Sequence, residues 1–522
     1  MSEINRRSLF AGALGVAGAG ALSSGALSST RAAAAPSLVR AGRPTLPQGV
    51  MSGDVTTSSG VVWARSDRPG RLVAEVRMGS KGRGRRVVRG PWATPDTDLT
   101  AKLELRGLRP GTEHEVRVWF ESGEGVRGEE GVLRLPTASN RKEGQSFVWT
   151  GDTCGQGWGI NPDVGGMVGY RAMHETRPDF FIHSGDTIYA DGPISETVTE
   201  PDGQVWRNLV IPEVTRVAET LGDYRGRHRY NHLDANLRAM YADVPVLAQW
   251  DDHETVNNWY PGEILDDPRY TEKRVDVLAA RARQAFFEWQ PIGAADARGR
   301  REPDGRNRIY RKVSRGRHLD VFCLDMRTYK SPNTANEEAR RTSILGAEQT
   351  AWLVRELRRS NATWKVIAAD LPIGLIVPDG DVAQEAVANR DAGAPLGREL
   401  EIAHVLREIK RSRVRNVLWV TADVHYCAAH HYDPSRAAFT DFDPFWELVA
   451  GPISAGGFGP NELDPTFGPR AEFVKHGSTD QSPRAGTAHF FGHVDIAGDG
   501  LLTASLRDIR GTVLWRRELM PA

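Results

Sequence analysis

Two hydrophobic periods divide this chain. Between residues 46 and 138 apolar and polar positions alternate over short runs broken by Gly, Pro and Asp. Examples are Gly60-Val61-Val62-Trp63-Ala64, Leu72-Val73-Ala74-Glu75-Val76 and Glu115-Val116-Arg117-Val118-Trp119-Phe120. No helical period competes there, so the pattern predicts a small β-sandwich. The polar, turn-rich stretch Pro136 to Gly144 reads as a linker. From Gln145 to the end, apolar strands alternate with helical periods. Strands are predicted over Ser146 to Thr150, Phe180 to His183, Val246 to Trp250, Leu319 to Leu324, Trp364 to Ala369 and Val417 to Thr421. Gly346 to Ser360 reads as a helix, with Leu353, Val354 and Leu357 on one face and Arg355, Arg358 and Arg359 on another. Residues 145–522 are therefore expected to be an α/β domain. The tail from His489 to Leu519 alternates again around Gly498-Asp499-Gly500, as a closing hairpin or meander would.

Composition narrows the class. With 522 residues and 40% hydrophobic content, the chain is too long for one ordinary core, and a disordered, collagen-like or disulfide-stapled protein is excluded. The 67 basic and 67 acidic residues cancel, so no global field holds nucleic acid or an anionic membrane, and no specific nucleic-acid recognition is expected. At the start, Asn5-Arg6-Arg7-Ser8-Leu9-Phe10 precedes a mild Ala/Gly/Leu run and Ala33-Ala34-Ala35. Met1 to Ala35 thus resembles a twin-arginine secretion signal. The expectation is export by the twin-arginine machinery to a secreted, cell-wall or periplasmic location. No later stretch is long and apolar enough for a transmembrane helix. Three cysteines, Cys154, Cys323 and Cys427, leave at least one without a partner in the chain, either a free thiol or a metal ligand.

The informative feature is where carboxylates fall. Phe147-Val148-Trp149-Thr150 runs into Gly151-Asp152, and Phe180 to Ser184 runs into Gly185-Asp186-Thr187-Ile188-Tyr189. Val246 to Trp250 meets Asp251-Asp252-His253-Glu254, and Val417 to Ala422 meets Asp423-Val424-His425. In an α/β sheet the carboxyl ends of strands share one edge, so these residues can converge. Oxygen ligands with one or two imidazoles would there form a multinuclear metal site. A single Gly-Asp pair is usually a turn. Three carboxylates and a His in a row are different, because they repel unless cations offset them. Gly155-Gln156-Gly157-Trp158-Gly159 lacks the Lys-Ser/Thr of a P-loop.

In this order, Gly151-Asp152, Gly185 to Tyr189, Trp250 to Glu254 with Asn257-Asn258, and Asp423-Val424-His425 resemble the blocks of the calcineurin-like metallophosphatases. More narrowly they resemble the alkaline phosphatase D group, with Leu324-Asp325-Met326-Arg327 as a softer match. The resemblance implies a four-layer α/β/β/α sandwich preceded by a fibronectin/immunoglobulin-like β-sandwich. In that first domain Arg106 to His114 resembles the turn before a late strand, with His114 where a corner Tyr is usual. It also implies Fe3+ held by Asp152, His425 and Tyr189, with Asp186 bridging to a second ion. Asp252 stands at the family's amide position and Asp423 at a frequent His position, which favours Ca2+ or Mn2+ over Zn2+ as that second ion. Cys154 is either a further iron ligand or a packed thiol, and Asp370 is a lesser metal candidate.

His253 is the candidate general acid, or else a residue that orients a ligand. Asn257 or Asn258 either contacts metal or phosphate or makes a cap or turn, and Arg327 either clamps phosphate in a bidentate pair or pairs with Asp325. His183, His430 and His431 read as structural. Phe442 to Trp446 and Gly451 to Gly459 read as a loop near the site mouth.

The expected protein is a secreted metal-dependent phosphoesterase that hydrolyses small phosphomonoesters, and phosphodiesters as well, through a metal-bound hydroxide or oxide. A phospholipase D-type phosphodiesterase is the first alternative. A non-catalytic calcium-binding surface protein is the second, and Tyr189, His253 and His425 argue against it, since structural calcium sites seldom use such ligands.

Overall fold

The computed structural model describes residues 42–78, 84–293, 307–478, 481–484 and 488–522. Arg43–Ala522 forms one compact unit. The export signal expected over Met1 to Ala35 lies outside the described residues.

The N-terminal region is a β-sandwich. One layer is a four-stranded sheet in the order Gly84–Ala93, Gly70–Met78, Glu113–Glu121, Gly131–Pro136. The other holds Val50–Gly53, Ser59–Arg65 and Thr100–Arg106. Alternate residues point inward, as the strand period requires, so Val62, Ala64, Leu72, Ala74, Val76, Leu103, Leu105, Val116, Val118, Leu133 and Leu135 share one core. His114 is buried, with Nε2 3.1 Å from the Arg109 carbonyl.

The sandwich does not end as a separate block. Val50–Gly53 runs parallel to Val246–Gln249 with Gly53 opposite Val246, which joins its three-strand layer to the next region. Only glycine fits at this seam. A Cβ on Gly53 would lie 2.5 Å from the Val246 carbonyl and 2.7 Å from Pro291. The result is a nine-stranded sheet that continues through Phe180–Ser184, Gln145–Thr150, Phe490–Ile496, Leu502–Asp508 and Val513–Leu519. The last three strands are the antiparallel meander expected from the tail.

A seven-stranded sheet faces it, in the order Arg311–Ser314, Leu319–Cys323, Trp364–Ala368, Val417–Thr421, Phe445–Val449, Cys427–Tyr432, Pro469–Lys475. Between the sheets lie Phe147, Trp149, Phe180, Ile182, Leu247, Val321, Val366, Leu418 and Val420. Their sequence neighbours Val148, Phe181, Phe322, Ile367 and Trp419 face outward, into two further cores under the helices. Helices Val168–Glu175, Leu221–Asn231, Ala235–Asp243 and Val275–Trp289 cover one sheet, and Ala347–Arg359 and Glu399–Arg411 cover the other. The four layers α/β/β/α explain why these strands read as unbroken apolar runs, since each is buried on both faces. Among the described residues no helix is long and apolar enough to cross a membrane.

Candidate metal centre

Strands from both sheets end at one edge, and the chain there turns through left-handed backbone at non-glycine residues. Asp152 (φ 68°), Cys154 (61°), Asp186 (51°), Asn258 (58°), Asp423 (65°) and His425 (55°) all adopt it. Such backbone costs an ordinary L-residue about 1–2 kcal/mol, and Asp and Asn less because their short polar side chains bond locally. That cost persists only where the surrounding structure imposes it, and functional turns are the usual place. Three groups of ligand-type atoms result, each within 4.8 Å of one another: Asp152, Asp186 and His425; Asp186, Asp252 and His253; Asp251, Asp252 and Asp423. Asp186 and Asp252 each belong to two groups.

Around Asp152 the hydrogen-bond pattern is informative. His425 Nδ1–H donates to the Gly456 carbonyl, which leaves Nε2 as a lone pair. Tyr189 O–H lies 2.7 Å from that nitrogen. Asp152 Oδ1 lies 3.3 Å from the same nitrogen, and both Asp152 oxygens are buried with no hydrogen-bond donor. An acceptor nitrogen and an unsatisfied carboxylate facing each other in a buried site is costly unless a cation lies between them. This donor set of carboxylate, imidazole and phenol suits a transition-metal ion.

The other end of the site is almost all carboxylate. Burial first, then repulsion from Asp252, Asp251, Glu254 and Asp152, pushes the Asp186 carboxyl far above its usual range. Asp423 rises for the same reasons, burial before its charged neighbours. Asp252 goes the other way. Burial opposes its ionisation, but His253, Arg327 and the Asn258 N–H at 2.6 Å outweigh that and bring it down to about 2. Asp370 adds two buried oxygens without donors. Glu254 ties the loops together, accepting from Asp186 N (3.2 Å), Thr187 N (2.5 Å), Thr187 Oγ1 (2.6 Å) and Asp251 N (2.7 Å). An all-oxygen set of this kind suits a hard cation.

His253 follows directly. Its Nδ1–H donates to Asp191 Oδ1 at 2.7 Å, and its ring stacks on Tyr189 at 4.1 Å. Asp191 also accepts the Asn257 N–H at 2.9 Å, so it fixes both the ring and the loop behind it. A cavity of 530 Å³ opens over the centre, lined by Asp186, Asp252, His253, Asp423 and His425 at its buried end. Gln156, Asn257, Glu385, Phe458 and Asn461 line the rest, with Val377 and Pro378.

Comparison with known proteins agrees with this geometry. The family model described as PhoD-like phosphatase matches residues 147–505, and that of its N-terminal domain matches residues 31–136. The chain belongs to the PhoD-like phosphatase family. It is 28% identical over 437 residues to alkaline phosphatase D of Bacillus subtilis (strain 168), covering 79% of this chain and 70% of that protein. A solved structure of PhoD matches with a TM-score of 0.66 at 21% identity, covering 91% of this chain and 92% of the other. The purple acid phosphatase PPD1 from yellow lupin (Lupinus luteus) seeds matches with a TM-score of 0.56 at 13% identity, covering 91% and 74%. These two structural likenesses concern the fold.

In this PhoD-like phosphatase, Asp152, Asp186, Asp252, His253, Asp423 and His425 come together, and Tyr189 touches His425. At three positions the sequence left two readings open. Cys154 does not join the ligand groups: its Sγ packs against Met167 Sδ (3.9 Å) and Ser454 Oγ (4.0 Å), and burial pushes its thiol far above the usual range. Arg327 is not a phosphate clamp. It is fully buried, does not line the cavity, and pairs with Asp251 and Glu385, with Asp370 at 3.6 Å and Asp423 at 3.4 Å. Asn258 lines the cavity, but its amide donates to Asp379 at 2.9 Å. Sequence reasoning missed Asp191 and Glu385. Asp191 could have been found, because it closes the Asp186 block two residues after Tyr189. Glu385 carries no local signal. The Gly451 to Gly459 loop does reach the site mouth through Phe458 and Gly459.

Proposed function

We propose that this protein is a metal-dependent phosphoester hydrolase acting on small phosphate esters. The observation that carries the reading is the convergence of buried Asp152, His425 Nε2 and Tyr189, with no protein donor for either Asp152 oxygen. Asp152, His425 and Tyr189 would hold an iron-type ion. Asp252 and Asp423, with Asp370 behind them, would hold a hard ion such as Ca2+ or Mn2+, and Asp186 would serve both. Bound cations would neutralise phosphoryl charge and acidify the attacking water. His253 lines the cavity and is held at Nδ1 by Asp191, which leaves Nε2 as its remaining proton site. It would pass that proton to the leaving oxygen as the ester bond breaks. The 530 Å³ cavity leaves room for a second substituent on phosphorus, which supports phosphodiesters as substrates beside monoesters. Export belongs to the same reading, supported by Arg6-Arg7 and Ala33-Ala34-Ala35.

Elemental analysis of the purified full chain, with rates on p-nitrophenyl phosphate and bis-p-nitrophenyl phosphate, tests the enzyme. Bound iron with a hard divalent ion, and chelator-sensitive hydrolysis, are expected. Absence of transition metal together with absence of both activities would overturn the reading. Replacing Arg6 and Arg7 by Lys should keep the protein inside the cell.

A further inference from the structure

The cavity over the centre has a buried, charged end and an exposed mouth, and one residue at the mouth is out of place on burial grounds. Phe458 lines the cavity yet is 40% exposed. It is held there rather than left loose. Its N–H donates to the His425 carbonyl at 3.1 Å, and its ring lies 4.8 Å from the His425 ring at 43°. On one side, Gly457 N donates to the Ser478 carbonyl at 3.2 Å and Gly456 N to Gln156 Oε1 at 3.0 Å. On the other, Gly459 adopts φ 89°, and a Cβ there would fall 2.4 Å from the Tyr426 ring, so the backbone that follows Phe458 is packed against Tyr426. One part of the ring meets a residue of the metal-type cluster, and the rest faces the cavity and solvent.

Amides share the cavity with that open surface, beside Val377, Pro378 and Pro460. Gln156, Asn257 and Asn461 line the same cavity, and Asn461 is anchored through Nδ2 to the Ile376 carbonyl at 2.8 Å. An aromatic face beside amide groups matches a flat ring with a polar edge better than an acyl chain. The ring offers a stacking surface, and amides can both donate and accept. We propose that Phe458 is a stacking platform that selects esters whose leaving group carries a nucleobase-type ring, so that the preferred substrates are nucleoside phosphates. This rests on the phosphoesterase reading and adds the identity of the leaving group to it.

AMP and ribose 5-phosphate differ only by the base, so their kcat/KM ratio on the metal-loaded full chain isolates the platform. The ratio should be about tenfold in favour of AMP, fall toward one in Phe458→Ala, and return in Phe458→Trp. Using the ratio cancels any general disturbance of His425 by the truncation. A wild-type ratio near one, a ratio unmoved by Phe458→Ala, or a preference for dihexanoyl phosphatidylcholine over AMP would overturn the proposal. Adenosine binding measured by calorimetry tests the platform apart from hydrolysis. A Kd about tenfold weaker in Phe458→Ala supports it, and an unchanged Kd overturns it. Failure to hydrolyse any ester while adenosine still binds through Phe458 would sink the phosphoesterase reading alone.

Discussion

The centre has two ends that solve the problem of buried negative charge differently. At one, Asp152 faces His425 Nε2 and Tyr189, and among the described residues no basic side chain approaches within ion-pair distance apart from the imidazole itself. At the other, Arg327 is enclosed by Asp251, Glu385, Asp370 and Asp423, with Asp252 at 4.0 Å, and Lys330 stands 3.7 Å from Glu385. Among the described residues the first end has no counter-charge of its own, so under the proposed reading a bound cation would supply it. The second carries one in its own chain, so its carboxylates can gather before any ion arrives. The fold therefore positions part of the site by itself and would leave the rest to the proposed metal.

The largest test of this contrast is at the residue common to both ends. Asp186→Asn keeps shape and removes the charge that two ligand groups depend on. Hydrolysis should fall by about 10³-fold with the fold retained, read as kcat and as circular dichroism, because metal charge stabilisation is worth several kcal/mol. Iron and calcium content should fall together. Loss of one metal alone would mean that the two ends are independent.

Arg327→Met breaks the second end from within. Removing one partner from a buried charge network costs about 3–5 kcal/mol, so the metal-free protein should unfold at markedly lower denaturant. Added Ca2+ should recover more of that loss in the variant than it adds to wild type, since it replaces the missing positive charge. Equal Ca2+ stabilisation of both would show that Arg327 does not serve as the counter-charge of this end.

His253→Ala probes the proton rather than the charge. Its loss should cost about 10²-fold on alkyl phosphates, whose leaving oxygen needs a proton, and much less on p-nitrophenyl phosphate. Asp191→Asn should follow the same leaving-group pattern more weakly and shift the pH profile of kcat, as expected of a residue that holds the ring at 2.7 Å. Equal losses on both ester types would count against the acid role.

Much of this was legible in the chain. Phe147 to Trp149 and Leu418 to Val420 are apolar at every position because each strand is covered on both faces, and the carboxylates that follow them mark the functional edge. What was illegible has physical reasons. Gly53 joins the sandwich to the catalytic sheet through backbone pairing alone, and nothing in a side-chain pattern records that. Glu385 reaches Arg327 across 58 residues and sits beside a two-residue strand, Ala383–Gln384, too short to leave a period. Arg327 could be read as an anion clamp or as a partner of Asp325, because sequence shows a charge but not how many carboxylates already surround it.

The smallest effect concerns Cys154, and it sharpens the contrast from the metal-dependent end. Its position two residues after Asp152 invites an iron–sulfur bond, but its φ of 61° and the backbone bond from its N–H to the Ser454 carbonyl at 3.0 Å turn the side chain away. Sγ then lies among Met167, Ile160 and other apolar residues of the core under the helices. If that packing is its whole role, Cys154→Ala costs about 1 kcal/mol of stability from the lost contact. Iron content, and the tyrosinate-to-iron absorption that the proposed Tyr189 ligation would give, should stay unchanged. Loss of iron in this variant at full folding would mean that the thiol swings into the site when metal binds, and Asp152 would then not be the sole anion of its segment.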